Sequence, residues 1–454
     1  MSTTPFRVLV VGGGTGGLCL AHGLVRAGIE VAVFERDHHR ADGLHGYRVG
    51  INADGSRALA ECLSAELYDT FVATCARAPR YLNVYTERLT TTASFPLPVP
   101  DDPIDSEKSV SRMTLRQVLL TDLDDVIHYG KKFVGYDRLE GERVTARFAD
   151  GTSETGDLLV GADGTNSAVR RQLLPHATVR DSGVVAIAAK VPVTPETRAL
   201  IPDEAYQGIS MVFAPKGRFC ILHSMEFKWD GAGAVKVGVG ASDTALIERW
   251  PGLLFDNTRD YLNWGLSAAA TAFPPDVMRM RGRELIDVAL AMTPGWHPKL
   301  RRLFELADPG SVFPVAIRTS EPVDSLPPGP VTLLGDAIHT MTPGQGVGAN
   351  TALMDAADLC RRLVEARDGE RTLLDATSAY EAEMLPRGFS RVAESLAQNG
   401  TNGDAAIHRP IVGRIVLAFV RGFFRAHHRV PALRRKFVAD LLTDRGHDRA
   451  DRRE

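Results

Sequence analysis

The sequence predicts an α/β protein: a Rossmann-like βαβ core, interrupted by a second, β-rich region and followed by a helical tail. Three observations predict it. The β-branched run Arg7-Val8-Leu9-Val10-Val11 leads directly into glycines and then into apolar residues at helical spacing. A similar run, Val331-Thr332-Leu333-Leu334, recurs late in the chain and is again followed by a glycine-bearing loop and a helical pattern. Between them, from about Ser182 to Ser242, the texture changes to short strand-like pieces with turns.

Each element follows from local chemistry. Arg7 to Val11 suits a buried parallel strand, because such strands are covered on both faces. Leu18, Ala21, Leu24 and Val25 fall at helical spacing, and Gly28 is a helix stop. Val31-Ala32-Val33-Phe34 is the second strand, which completes the start of one βαβ unit. Met211-Val212-Phe213, the turn Pro215-Lys216-Gly217 and Phe219-Cys220-Ile221-Leu222 read as a hairpin. The late strand follows the turn Pro327-Pro328-Gly329-Pro330, and a helix is expected from about Asn350 to Ala366. From Arg409 on, 12 Lys/Arg stand against 5 Asp/Glu, a net of +7. That tail reads as a helix packed on the body with a basic outer face, the alternative being a helix that touches a membrane or a partner. The last residues, Asp444 to Glu454, read as frayed.

Bulk properties exclude several classes. A chain of 454 residues suits two or three domains, and a net charge of −3 makes no case for nucleic acid. The cysteines, Cys19, Cys62, Cys75, Cys220 and Cys360, are scattered, odd in number and free of CxxC spacing. Neither a disulfide framework nor a metal site is expected, and a cytoplasmic location fits. The run Val8 to Val11 is too short for a signal-peptide core or a membrane span, so no stable span is expected.

Gly12, Gly14 and Gly17 form GxGxxG between a strand and a helix. The first permits a tight turn, the second a close approach of a pyrophosphate, and the third close strand–helix packing. The helix N-terminus offers N–H groups and a positive dipole end to phosphates. Glu35 ends the second strand at the spacing of an acid that binds two ribose hydroxyls. These residues point to an adenine dinucleotide without separating NAD from FAD.

Two later segments choose. Leu158 to Arg170 reads LLVGADGTNSAVR, and Val331 to Ala357 reads VTLLGDAIHTMTPGQGVGANTALMDAA. With the opening glycines, in this order, they resemble the group A flavin-dependent monooxygenases, the para-hydroxybenzoate hydroxylase-like and salicylate hydroxylase-like enzymes. The resemblance spans roughly residues 6–370. It implies a Rossmann-like FAD-binding domain of the glutathione-reductase (GR2) type with an inserted β-sheet substrate domain.

It also implies site residues. Asp336 would accept from a ribityl hydroxyl. The loop Pro343 to Asn350, with Gly346 and Gly348, would bring helix N–H groups to the flavin's pyrimidine edge, where reduced flavin carries negative charge. Asp163 belongs to the second fingerprint, which relatives link to FAD and the nicotinamide donor, though ordering its own loop is an equal reading. Arg112 matches the arginine that opens a helix toward the FAD ribose and pyrophosphate. Arg48, in Tyr47-Arg48-Val49-Gly50-Ile51, matches the loop that lines the flavin. His339 reads as support beside the flavin loop. One departure stands out: many relatives carry Gly-Gln-Gly-x-Asn, whereas this chain has Gly346-Val347-Gly348-Ala349-Asn350, with Gln345 earlier.

The implied reaction uses FAD, with NADPH or NADH as donor and O2 as co-substrate, and passes through a flavin C4a-hydroperoxide to oxygenate a hydrophobic, aromatic or polycyclic small molecule, as in secondary metabolism. No second GxGxxG is visible for a separate nicotinamide domain. An epoxidase or reductase of the same fold, and a non-catalytic flavin-binding protein, are the alternatives. Halogenation is disfavoured, because Trp229, Trp250, Trp264 and Trp296 form no Trp-x-Trp-x-x-Pro signature. Met211, Phe213, Phe219 and Ile221 alternate as pocket-facing or core positions. His223 continues that alternation and is the one candidate base. The expected division places the FAD-binding domain at 1–70, 100–180 and 291–375, the substrate sheet at 71–99 and 181–290, and the helical basic segment at 376–454, in a monomer or homodimer. After the last FAD helix about 85 residues remain, too few for the extra domain of the phenol hydroxylase branch.

Overall fold

Alternation of buried apolar strands with helices gives a parallel sheet at the centre of the chain. In a computed structural model that describes residues 6–40, 42, 48–100, 102–140, 142–227, 259–397, 403, 405–409 and 411–447, the strand Arg7–Val11 lies in the middle of five. Leu158–Gly161 and Glu30–Phe34 flank it, and Val331–Leu333 and Ile127–His128 form the edges, all parallel. Val8, Leu9 and Val10 are fully buried, as a strand covered on both faces requires. Helices Thr15–Arg26 and Gly348–Arg367 pack on this sheet within one core.

A seven-stranded sheet forms the second layer. Its order is Phe313–Ser320, Val179–Pro192, Tyr261–Ala269, Phe219–Met225, Gly208–Phe213, Tyr81–Thr86 and Thr91–Pro96. The hairpin expected at Met211 to Leu222 is present; Lys216 (φ 65°) and Gly217 (φ 66°) turn the chain between its strands. One face carries Val185, Ile187, Val212, Cys220, Leu222 and Trp264 against helices Arg283–Met292 and Pro298–Glu305. Within the stretch expected with the nucleotide-binding part, Met292 to Val312 pack in this second core, and Phe313–Ser320 forms the edge of the large sheet. Leu300, Leu303 and Phe304 are buried there, and Phe313–Ser320 pairs with Val179–Pro192. Residues 228–258, which include the end of the strand-like stretch and Trp229 and Trp250, lie outside the described residues, as does Tyr47.

The tail forms helices Val412–Arg429 and Pro431–Asp444. Leu417 and Val420 are buried against Val84, Ala93, Phe95 and Phe213 of the large sheet. Past the last helix the chain is anchored rather than frayed as far as residue 447. Arg445 pairs with Glu107, and the Arg57 guanidinium donates to the Gly446 carbonyl. Residues 448–454 lie outside the described residues.

Candidate active site

The carboxyl ends of four neighbouring parallel strands deliver the site, which is where open α/β sheets bind ligands. Val11 leads to Gly12–Gly14, Phe34 to Glu35, Gly161 to Ala162 and Asp163, and Leu333 to Gly335 and Asp336.

Two glycines of the first loop are required by the protein itself. Gly12 has φ 111°, and a Cβ there would lie 2.4 Å from the Ala162 carbonyl oxygen. A Cβ at Gly17 would lie 2.3 Å from the Gly12 carbonyl oxygen. Gly14 differs: the nearest protein atom to its missing Cβ is the Ala162 oxygen at 3.9 Å, so its bareness serves whatever approaches from outside. Gly14 caps helix Thr15–Arg26 with no side-chain hydrogen bond and no acid in the first turn. That N-terminus keeps its N–H groups and positive dipole end for an anion.

Glu35 is held where a strand-end acid must be. The Gly13 N–H donates to its Oε2 (2.8 Å), the Asp37 N–H to its Oε1 (2.9 Å), and Arg116 lies 3.9 Å away. Arg116, one helical turn beyond Arg112, also pairs with Asp37 at 2.9 Å.

A second group forms around Asp336. Helix Gly348–Arg367 starts beside it, with no side-chain cap and no acid in its first turn. Asp336 is exposed to the groove, yet surrounding protein pushes its pKa up by desolvation, against the charges of His339 and Arg112. Arg112 is itself exposed at the start of helix Arg112–Leu119, so the two opposite charges share this end of the groove. Pro343 and Gly346 are exposed; the Gly346 N–H donates to the Pro343 carbonyl (3.1 Å), and Gly346 has φ 68°.

Other expected site residues face the protein. Asn350 is buried: it accepts from the Asn52 N–H (2.9 Å) and donates to the Gly50 carbonyl (2.9 Å). It thereby ties the flavin-type loop to the ribbon Arg48–Ile51 and Lys108–Ser111. Asp163 Oδ2 accepts from the Ala168 N–H (2.6 Å), capping a short helix. From that helix Arg170 donates to the Ala337 carbonyl (2.7 Å), joining the second motif to the third. Gln345 donates to Glu394 (3.3 Å), which directs its amide to the helix Leu373–Ala397. Arg48 donates to Ser109 Oγ (3.1 and 3.0 Å), lies 3.6 Å from Glu107 and acts electrostatically on His223. Burial lowers its pKa to about 10. Its partners lie on the ribbon and the large sheet, not on the Gly12–Gly17 loop where a diphosphate was expected.

His339 is a support. It lies 2.6 Å from Asp355, and both are buried. Asp355 also accepts from the Gly335 N–H (3.0 Å) and from Arg387 (2.9 Å). Burial alone would lower His339 and raise Asp355, but their mutual charge, with Arg387 acting on Asp355, reverses both. Gly388 leaves room for the imidazole, since a Cβ there would lie 2.4 Å from His339 Cδ2. Asp355 lies within the motif Val331 to Ala357 but, like Arg387, was given no role from the sequence, because an ion pair between two helices follows no local spacing.

On the large sheet, register places Ile209, His223, Asn263 and Lys190 in one row across one face, with Met211, Ile221, Gly265 and Ala188 in the next. Phe213 and Phe219 continue the face outward. Among the described residues they pack, with Met211, against the tail, and the Phe213 and Phe424 rings stand 5.9 Å apart. Ile221 and His223 lie further in. His223 is 3% exposed, and neither ring nitrogen has a partner; Asn263 Oδ1 beside it is likewise buried and unpaired.

Comparison with known proteins follows this geometry. Residues 310–395 match the FAD binding domain family and residues 10–49 the NAD(P)-binding Rossmann-like domain family. The crystal structure of a Photorhabdus luminescens protein assigned as a FAD-containing monooxygenase is 31% identical, with a TM-score of 0.74 over 87% of this chain and 98% of that one. The chain belongs to the group A FAD-dependent monooxygenases. A dual O-methyltransferase/FAD-dependent monooxygenase of Cercospora beticola is 32% identical over 86% of this monooxygenase chain and 45% of its own length. The chain thus spans about half the length of the curated relatives it matches. Klebsiella pneumoniae HpxO, solved with FAD and uric acid, shares the fold at 21% identity, with a TM-score of 0.74 and 97% of each chain covered. The monooxygenase's own residues fit the family's cofactor, FAD: one uncapped helix N-terminus follows a glycine turn with a ribose-type acid, and a second stands beside Asp336 and Arg112.

Proposed function

We propose that this chain uses NADPH or NADH and O2 to insert one oxygen atom into an apolar, aromatic or polycyclic small molecule. The substrate would lie between the cofactor groove and the inner part of the large sheet. The observation that carries this reading is the buried, unpartnered His223 beside Asn263, next to the apolar row of Met211, Ile221, Gly265 and Ala188. Buried polar groups are nearly always paired, so two such groups side by side are free to pair with polar atoms of a substrate.

Flavin, when bound, supplies hydride acceptance and oxygen activation; the residues of this chain supply the rest. Gly12–Gly14 with the Thr15 helix would hold the diphosphate, Glu35 the adenosine ribose, and Asp336 with Arg112 the ribityl–pyrophosphate segment. The Gly348 helix dipole would stabilise negative charge on the ring. Asn350 and His339 position that loop without touching the ring. Met113, whose Sδ is 3.9 Å from Lys190 Nζ, links the helix of Arg112 to the substrate sheet.

Burial, and then the Arg48 charge, hold the His223 pKa well below its ordinary value. A neutral imidazole so poised is a poor proton acceptor. On this reading His223 hydrogen-bonds a substrate hydroxyl or carbonyl, and its lowered pKa makes it a weak base for deprotonating one. On this reading the parallel sheet and its helices hold flavin, the large sheet, extended to Ser320, faces substrate, and the tail covers that sheet's outer end.

The test is a screen of aromatic compounds for those that stimulate NAD(P)H consumption by the FAD-loaded protein, with product mass measured under 18O2. Stimulated consumption with one labelled oxygen in the product is expected. Flavin reduction without oxygen transfer to any compound would remove the monooxygenase reading for this chain.

A further inference from the structure

Helix Val412–Arg429 is apolar on two opposite sides, and among the described residues only one side is packed. Leu417 and Val420 are buried against the large sheet, and Gly413 is buried against the Ala406 and Ile407 carbonyls. Ile411, Ile415 and Phe419, each two residues from one of these or its neighbours, are 78%, 67% and 76% exposed, and Phe423 extends the row by one more turn. Residues two apart on a helix point roughly 200° apart, so the bare stripe lies opposite the buried one. Spacing of four residues makes it continuous along the helix. Large apolar side chains exposed singly need no explanation, but a continuous row of them does.

Charge around the stripe identifies what covers it. From Ala405 to Ala439 the sequence holds Arg409, Arg414, Arg421, Arg425, Arg429, Arg434, Arg435 and Lys436, and no Asp or Glu. Arg421 is engaged with Glu87 and the Phe213 carbonyl and locks the helix to the sheet. Arg414, Arg425 and Arg429 are exposed, as are Arg434, Arg435 and Lys436 on the next helix. We infer that this face seats the protein on an anionic lipid surface, with Ile415 and Phe419 entering the acyl boundary and the arginines meeting headgroups. An in-plane amphipathic helix with cations at its polar margin binds in this way. A second copy of the chain would instead bring two cationic margins together without compensating acids. Among the described residues no helix is long and apolar enough to cross a membrane, so the contact is peripheral. It is independent of which reaction the site performs.

The experiment is sedimentation of the FAD-loaded full chain with vesicles of phosphatidylcholine alone and of phosphatidylcholine with phosphatidylserine. Binding to the anionic vesicles is expected, weakening as salt is raised. The double variant Ile415→Ser/Phe419→Ser should bind them at least about tenfold more weakly, with an unchanged melting curve because both side chains are exposed. Arg414→Glu/Arg425→Glu should abolish the preference for phosphatidylserine. Absence of binding to anionic vesicles at low salt overturns the proposal. So does a dimer, seen by analytical ultracentrifugation, that dissociates in the Ile415→Ser/Phe419→Ser variant while neither protein binds lipid.

Discussion

Asn350 and Asn52 are joined by a hydrogen bond of 2.9 Å from the Asn52 N–H to the Asn350 side-chain oxygen, and they stand 298 positions apart in the chain. The same amide donates to the Gly50 carbonyl, so one side chain fixes the ribbon against the start of the Gly348 helix. Asn350→Leu leaves the buried Asn52 N–H without a partner, which costs about 1–3 kcal/mol, and frees the half-buried Gly50 carbonyl, which costs less. Denaturant unfolding of the apoprotein should show a loss of that order, and fluorescence titration should show weaker FAD binding.

Gly12 and Gly14 separate folding from cofactor binding. Gly12→Ala places a Cβ against the Ala162 carbonyl at a positive φ and should lower apoprotein stability as well as FAD content. Gly14→Ala meets no protein atom closer than 3.9 Å. It should leave the apoprotein's melting curve unchanged and weaken FAD binding about tenfold or more. Equal FAD affinity in Gly14→Ala and the parent would refute the diphosphate assignment.

Stability should depend on pH through His339 and Asp355. His339 is raised above its ordinary 6.5, so its contribution is complete below that pH and fades as pH rises through the raised value. Asp355 is lowered below its ordinary 3.8, so its contribution is complete above that pH and is lost as pH falls through the lowered value. His339→Gln removes the titrating ring. The melting-temperature difference between parent and variant should therefore shrink on the alkaline side; parallel curves would refute the coupling.

His223→Leu should raise KM for a hydroxylated substrate by about tenfold, the worth of one hydrogen bond of about 1.4 kcal/mol. FAD content should not change, because His223 stands on the large sheet and not in the groove. His223→Asn, which keeps a donor and an acceptor, should recover part of the loss. A shift of FAD content with KM unchanged would place His223 on the wrong side of the site.

Local chemistry made part of this legible. The strand Arg7–Val11, its glycine turn, Glu35 and the hairpin at Lys216-Gly217 are written in contiguous residues, and the structure has them where the spacing put them. The pairing of Arg48–Ile51 with Lys108–Ser111 and the Asp355–Arg387 contact left no periodic trace, because distant segments determine them. Alternation along Met211, Phe213, Phe219 and Ile221 identified one sheet face correctly but could not divide it. The tail covers its outer half, and only packing decides where that cover ends.

The order of the five parallel strands has a consequence for biosynthesis. Arg7–Val11 pairs with Leu158–Gly161, which in turn pairs with Val331–Leu333. A ribosome exposes the diphosphate loop long before it releases Asp336 or the Gly348 helix. The nascent chain can thus offer only one end of the cofactor's site, and parallel pairings across such separations form slowly. Tight loading of FAD is expected to be post-translational, so expression yield should follow flavin supply during chain maturation more closely than during elongation.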